Sequence, residues 1–287
     1  MTNRYIHLAC LAGFTLFATQ GAGAAPLLPY YGTQTFNPGA PIDNPYFPMP
    51  MNVINTYEGS FEDEGEIVTE GFELSNIGPG KTLLGVQTWT QLDRAFEGEL
   101  LVEETHDYYA QDTDGNVWYF GEDVVNYVYD DDDNLVSTNT SSSWLAGVND
   151  ALPGIIMLGD AVVDFNYYQE FAVADDALDH ARIKSVGNTV TIGPGTFTNV
   201  IQVLEGSVLE PDFREFKYYA PGIGLILAEE GLDENLMNPE LSVELVSSVP
   251  VPAALPLFVS ALAGAGFLGR RRARPVIQAG VRKSGAP

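Results

Sequence analysis

The chain is poor in the residues from which most active sites and metal centres are made. Its 287 residues contain one cysteine and three histidines. Cys10 sits in an N-terminal apolar run, so an exported chain keeps no thiol. That excludes a disulfide framework, a cysteine nucleophile and a thiolate metal site. His7-Leu8-Ala9 before Cys10 lacks the aliphatic residue that a lipoprotein signal carries three positions ahead of its cysteine. His106 and His180 do not stand at a metal-ligand spacing, and both read as exposed strand residues. No Gly-x-Ser-x-Gly elbow supplies a serine nucleophile. Gly78-Pro79-Gly80-Lys81-Thr82 ends in Lys-Thr but lacks phosphate-loop spacing, so it reads as a turn.

Positive charge is scarce as well. All 39 acidic residues fall between positions 26 and 248, where only Lys81, Arg94, Arg182, Lys184, Arg214 and Lys217 oppose them. This body carries a formal charge of −33. Phosphates are repelled by it, so nucleic acid is excluded as a partner, and cations are favoured. With so many carboxylates, no pair can be singled out for glycosidic chemistry. Long helical stripes are missing too, while Val, Thr, Tyr, Phe and Trp are plentiful, as strands prefer.

The two ends differ from the body. Arg4 precedes an apolar run from Tyr5 to Ala18 and a small-residue site at Ala22, Ala24 and Ala25, which together read as a secretory signal at 1–25. Near the other end, residues 253–269 form 17 uncharged positions. As a helix they span about 25 Å, enough to cross a bilayer core. Arg270, Arg271, Arg272 and Arg274 follow at once and hold that end in the cytoplasm. Both termini therefore place the body outside the inner membrane.

The order Val249-Pro250-Val251-Pro252, apolar helix, then Arg270-Arg271-Arg272 resembles the PEP-CTERM sorting signal of Gram-negative bacteria. The resemblance covers residues 249–274. It departs from the usual pattern at Val251, where glutamate is common, and in the 13 residues, 275–287, beyond the arginines. It implies export through the Sec machinery, recognition by an exosortase-type membrane protease, and association with exopolysaccharide. The protein is then held in the membrane by the tail before processing and is at the cell surface or extracellular afterwards.

Within the body, residues 26–51 read as an extended lead-in rich in Pro, Gly and Asn. Residues 52–248 read as one acidic all-β domain. Val190 and Ile192 alternate with Thr189 and Thr191, and Phe216 and Tyr218 alternate with Glu215, Lys217 and Tyr219. Period two places one face in the core and one in water. Asp114-Gly115 between two aromatic runs predicts a tight hairpin. Further turns are predicted at 130–134, 193–195 and 219–224, with a turn at 151–160 or 175–178. The segments YYAQDTDGNVWYFGE and KYYAPGIGL are similar to secreted bacterial β domains. The strand pattern is also similar to half-barrel lipid carriers.

The fold expected is an antiparallel sandwich or strongly curved, half-barrel-like sheet, between a signal helix and a transmembrane helix. The function expected is a non-enzymatic exported surface or matrix protein. The alternative is a lipid- or glycan-binding module lined by Trp89, Trp118, Tyr119 and Phe120, and a hydrolase ranks last. No cofactor is expected beyond calcium, whose candidates are the oxygen-rich turns Asp112, Asp114 and Asn116, and Asp130, Asp131, Asp132 and Asp133.

Overall fold

The computed structural model describes residues 25–63, 66–130 and 132–250. The expected signal helix at 1–25, apart from Ala25, the expected transmembrane helix at 253–269 and the arginine cluster lie outside these residues. Among the described residues no helix is long and apolar enough to cross a membrane. Two 3-10 turns, Tyr31–Thr33 and Val173–Asp175, interrupt an otherwise all-β chain.

The strands are β1 (Val53–Asp63), β2 (Glu66–Leu83), β3 (Val86–Glu97), β4 (Leu100–Gln111), β5 (Val117–Tyr129), β6 (Leu135–Asn139), β7 (Trp144–Leu145), β8 (Leu152–Met157), β9 (Asn166–Tyr168), β10 (Glu170–Phe171), β11 (Asp179–Ile192), β12 (Gly195–Ser207), β13 (Glu215–Ala220), β14 (Gly224–Glu230) and β15 (Leu241–Pro250). They form one antiparallel sheet in the order β10-β8-β5-β4-β3-β2-β1-β15-β14-β13-β12-β11-β9, with β6 and β7 each pairing with β5 off this path. Two five-stranded meanders, β1 to β5 and β11 to β15, are joined where β1 pairs with β15, from Val53 opposite Pro250 to Gly59 opposite Val243. Val249 and Pro250, the first residues of the PEP-CTERM-like stretch, thus belong to the last strand.

The two ends of the sheet meet on one short stretch of chain. β9 pairs with β11, and β10 pairs with β8. Between β9 and β10 stands Gln169 alone. This split strand nearly closes the sheet into a barrel, which hides the open edges that a flat sheet exposes. β8 approaches it so closely that a Cβ on Gly154 would lie 2.2 Å from the Gln169 carbonyl oxygen.

The lead-in is irregular but not detached. Tyr31 and Phe36 pack edge-on against Trp118 and Phe120, with centroids 5.7–6.3 Å apart. Ile42 and Met49 are buried in the same cluster. Asn44 is 2% exposed, and its Nδ2 donates to the carbonyls of Gly115 (2.8 Å) and Leu158 (3.1 Å). These bonds explain why polar, Pro-rich residues stay on the barrel wall: their backbone and side-chain donors are answered there.

Several local expectations are corrected. The β4–β5 connection is a five-residue loop, not a two-residue turn. Asp112 Oδ1 accepts the backbone N–H groups of Asp114 and Asn116, both at 2.9 Å, which pulls the loop round its own side chain. Gly78 to Thr82 lies inside β2, where the pairing with β3 slips between Asn76 and Gly78 and between Pro79 and Thr82. A bulge with Pro and Gly accounts for a stretch that reads as a turn. The turn itself is Leu84-Gly85, with φ of 47° and 82°, a pair of positive values that suits a two-residue hairpin. Residues 152–157 are strand β8, not a turn. The hairpins expected at 130–134, 193–195 and 219–224 are present, the last with its connection narrowed to 221–223.

The seam provides a test. Gly154→Ala drives a methyl into backbone that no side-chain rotation can move. It is expected to destabilise the protein by about 1–3 kcal/mol in urea denaturation. Gly193→Ala, whose Cβ would meet nothing nearer than 3.9 Å, is expected to change stability by less than about 0.5 kcal/mol.

Candidate functional site in the barrel lumen

The register lines bring acid against acid. Asp107 on β4 faces Glu122 on β5, and Glu205 on β12 faces Glu215 on β13. Cross-strand partners project to the same side of a sheet, here the inside. A cavity of about 350 Å³ opens between them. Its strand-borne carboxylates are Glu103, Glu122, Glu170, Asp179, Glu205, Glu215 and Glu230, each from a different strand, with Asp175 from the second 3-10 turn and Asp176 and Glu210 from loops. Among the described residues Lys217 is the single basic group lining it.

Strand alternation leaves the facing of β13 open, and the fold turns the charged set inward. Glu215 (6% exposed), Lys217 and Tyr219 (4%) face the lumen, while Tyr218 points away and bonds Gln202 and Glu229 on the opposite face. Period two was legible there, but the charged set is the inner one.

Lys217 organises the centre. Its Nζ donates to Glu205 Oε2 at 2.8 Å and lies 3.6 Å from Glu215 Oε1. Glu205 Oε1 accepts from Gln169 Nε2 at 3.0 Å and from Tyr219 Oη at 3.5 Å. Burial works against the Lys217 charge, but Glu205 and Glu215 outweigh it and hold the ammonium well above its ordinary pKa. Burial pushes Glu215 up to about 8, with Lys217 pulling back and Glu230 and Glu205 pushing further. Burial likewise raises Asp107 to about 7 against the opposing hydrogen bond from Tyr119. Glu70 reaches about 7 through burial and the charges of Glu230 and Glu97. Burial also drives Asp93, Glu122 and Glu170 well above the usual carboxylate range.

The geometry around Tyr119 calls for a stored proton. Its Oη lies 2.6 Å from Asp107 Oδ1 and 2.9 Å from Glu122 Oε2. A phenol has one proton and can donate to one carboxylate. The second contact is attractive only when that carboxyl is protonated and donates to the phenol. Elsewhere in the wall, Asp93 Oδ1, Asp179 Oδ1 and Tyr167 Oη are buried without a hydrogen-bond partner. Such atoms cost stability unless a ligand, water or proton satisfies them.

The residues singled out in the sequence are dispersed. Trp118, Tyr119 and Phe120 are at most 4% exposed. Trp118 and Phe120 are covered by the lead-in on the outer face, whereas Tyr119 stacks on Tyr109 inside, 4.8 Å between centroids. Trp89 donates its Nε1 to the Ala40 carbonyl at 2.7 Å. Packed against protein, these rings do not line a lipid or glycan pocket. Asp112 Oδ2 accepts from Asn116 Nδ2 and Trp118 Nε1, so both its oxygens serve the loop. Asp130 spends its oxygens on Asp132 and Asn134 in the same way. Asp114, Asp132 and Asp133 are exposed, and Asp131 lies outside the described residues. Among the described residues no three His, Cys, Asp or Glu side chains converge as a metal site.

His106 and His180 are half-buried rather than exposed and lie on β4 and β11, well separated in the sheet order. Lys81 pairs with Asp123 at 2.6 Å, and its Nζ sits 5.1 Å from the Tyr108 ring centre, an outer-face contact and not a phosphate site. Ala25 is exposed at the start of the described residues, and Ala22, Ala24, Val251, Pro252 and Arg270 to Arg272 lie outside them. The lumen acids were missed, although Glu103-x-Thr105-x-Asp107 spells an acidic face at strand period.

No protein-family model matches the chain, and no curated protein matches it. Two solved structures are similar to it. One, from Bacteroides fragilis, is described as an exported protein with a YmcC-like fold; it is 12% identical with a TM-score of 0.36. The other, from Parabacteroides distasonis, is described as a lipoprotein; it is 14% identical with a TM-score of 0.35. Each match covers 71% of this chain and 98% of the other.

The lumen sets an unusual pH dependence. Asp107, Glu70 and Glu215 keep protons up to about pH 7 to 8 when folded, whereas in the unfolded chain such groups release them near pH 4. The folded state binds more protons in that window, so stability is fullest in acid and is lost as pH rises through 7 and 8. The melting temperature is expected to be more than about 5 °C higher at pH 5 than at pH 9. Lys217→Met leaves Glu205 without its cation and is expected to cost about 3–5 kcal/mol at pH 8.

Proposed function

We propose that the protein is an exported, non-enzymatic binding protein of the cell surface or extracellular matrix, whose barrel holds a small solute in its lumen. The observation that carries the binding part is the carboxylate-walled cavity of about 350 Å³ inside a nearly closed sheet. A barrel built only as a spacer gains more from an apolar filling, since replacing buried charge by packed apolar residues is often neutral or stabilising. Export is supported by the signal-like start, and surface delivery by the PEP-CTERM-like order from Val249 to Arg272.

A lipid chain fits this cavity poorly, because Val124, Ala177 and Phe213 are the apolar side chains among its described lining residues. Hydrolysis of a glycan ranks lower for a related reason. Paired carboxyls are present, but Phe213 is the one aromatic ring lining the cavity among the described residues, a sparse platform for sugars.

Delivery is tested by expressing the full chain and a chain ending at Pro250 in a host with an exosortase, then fractionating the cells. The full chain is expected in the membrane and, after processing, in the medium. The shortened chain is expected in the periplasm or medium and never in the membrane pellet. Recovery of both from the cytoplasm with the N-terminal segment intact would refute export.

A further inference from the structure

We infer that the lumen is a binding site for an aliphatic oligoamine, a linear molecule with two or three ammonium groups joined by methylene segments. The inference rests on the reading of the barrel as a binding module and names its ligand class.

The cavity wall presents strand-borne carboxylates from seven strands to one internal ammonium, that of Lys217. Protons neutralise part of this excess, as the two-carboxyl contact of Tyr119 requires. A cationic ligand neutralises it without leaving carboxyls protonated at neutral pH.

The carboxylates are spread around the wall, and among the described residues no three of them converge on a point. A single metal ion gathers six to eight oxygens within about 2.5 Å. An extended polycation instead takes separate carboxylates along its length. Val124, Ala177 and Phe213 also line the wall, and they offer apolar contact to the methylene segments between ammonium groups.

Asp179 lines the cavity, and its Oδ1 is buried with no hydrogen-bond partner. Lys217 shows how this wall receives an ammonium, with one carboxylate at 2.8 Å and a second at 3.6 Å. Glu122 and Glu170 are also in the wall, and among the described residues neither has a basic side chain in an ion pair. The volume is at the small end of ligand pockets, roughly 300–1,000 Å³, which favours a slender chain over a folded peptide.

The test is calorimetric titration of the purified full chain in non-ionic detergent at pH 8. The probes are spermidine, putrescine, magnesium ion and hexane-1,6-diol at matched ionic strength. Spermidine or putrescine is expected to saturate one site at least tenfold more tightly than magnesium, with no heat from the diol. The double variant Glu122→Gln, Glu170→Gln is expected to weaken oligoamine binding at least tenfold while its melting temperature holds or rises. The exposed pair Asp132→Asn, Asp133→Asn removes the same charge and is expected to change binding less than twofold.

Equal weakening in the exposed pair would reduce the effect to overall charge and overturn the site. So would magnesium binding as tightly as spermidine, or the absence of oligoamine heat. Wall-dependent binding of magnesium or the diol without oligoamine binding would overturn the ligand class while leaving the binding-module reading intact. Silence from every probe would count against both.

Discussion

Inside this barrel the arrangement depends on the carboxylate of Glu205. It accepts from Lys217, Gln169 and Tyr219, so one buried anion ties together the internal cation, the closure of the sheet and the aromatic wall. Gln169 also donates its backbone N–H to the Asp179 carbonyl at 2.8 Å. The residue at which the split strand changes partners is thus held by β11 through its backbone and by β12 through its side chain. Charge placement and sheet closure are not separate features here. Removing the ammonium would leave a buried anion at the point where the two ends of the sheet meet, and low internal polarisability makes that costly.

The same segment that closes the core on one face opens a polar interior on the other. Along β5, Trp118 and Phe120 turn outward beneath Tyr31 and Phe36, and Tyr119 turns inward to Asp107 and Glu122. The Tyr-Tyr-Ala pairs follow a common plan. Tyr108 and Tyr218 each donate to an acid on the next strand, Asp123 at 2.6 Å and Glu229 at 2.7 Å. Tyr109 and Tyr219 each stand in the buried interior among the lumen carboxyls. Burial on both faces of a wall is what lets a chain this acidic fold. The apolar and aromatic side supplies the cohesion, and the lumen carries the charge.

Much of the fold could be read in the chain and much of the site could not. Alternation in Val190–Ile192, the Gly-Pro-Gly turn at 193–195 and the Asp-rich hairpin at 130–134 are local signals, and the local backbone follows them. The interior facing of Glu215 and Lys217 is not local. Strand alternation says that two sets of side chains lie on opposite faces, and composition then assigns the apolar set inward. In β13 both sets are partly polar and partly aromatic, so composition gives no vote, and the closed curvature of distant strands decides. The 78–82 stretch misleads for the converse reason. Its glycines and proline are real breakers, but the long β2–β3 pairing absorbs them as bulges. Of the PEP-CTERM-like stretch expected at 249–274, Val249 and Pro250 are the described residues, and they end β15.

The account's central claim is that a group of carboxyls inside the sheet is withheld from water and remains protonated near neutrality. Carboxyl-selective carbon NMR on protein labelled at Asp and Glu, titrated from pH 4 to pH 9, reads this directly. Several side-chain carboxyls are expected to titrate between about pH 6.5 and 8.5, in the range to which burial moves Asp107, Glu70 and Glu215. If every carboxyl in the folded protein had ionised by about pH 5, as exposed groups do, the acids would be in water and the lumen as described would not exist.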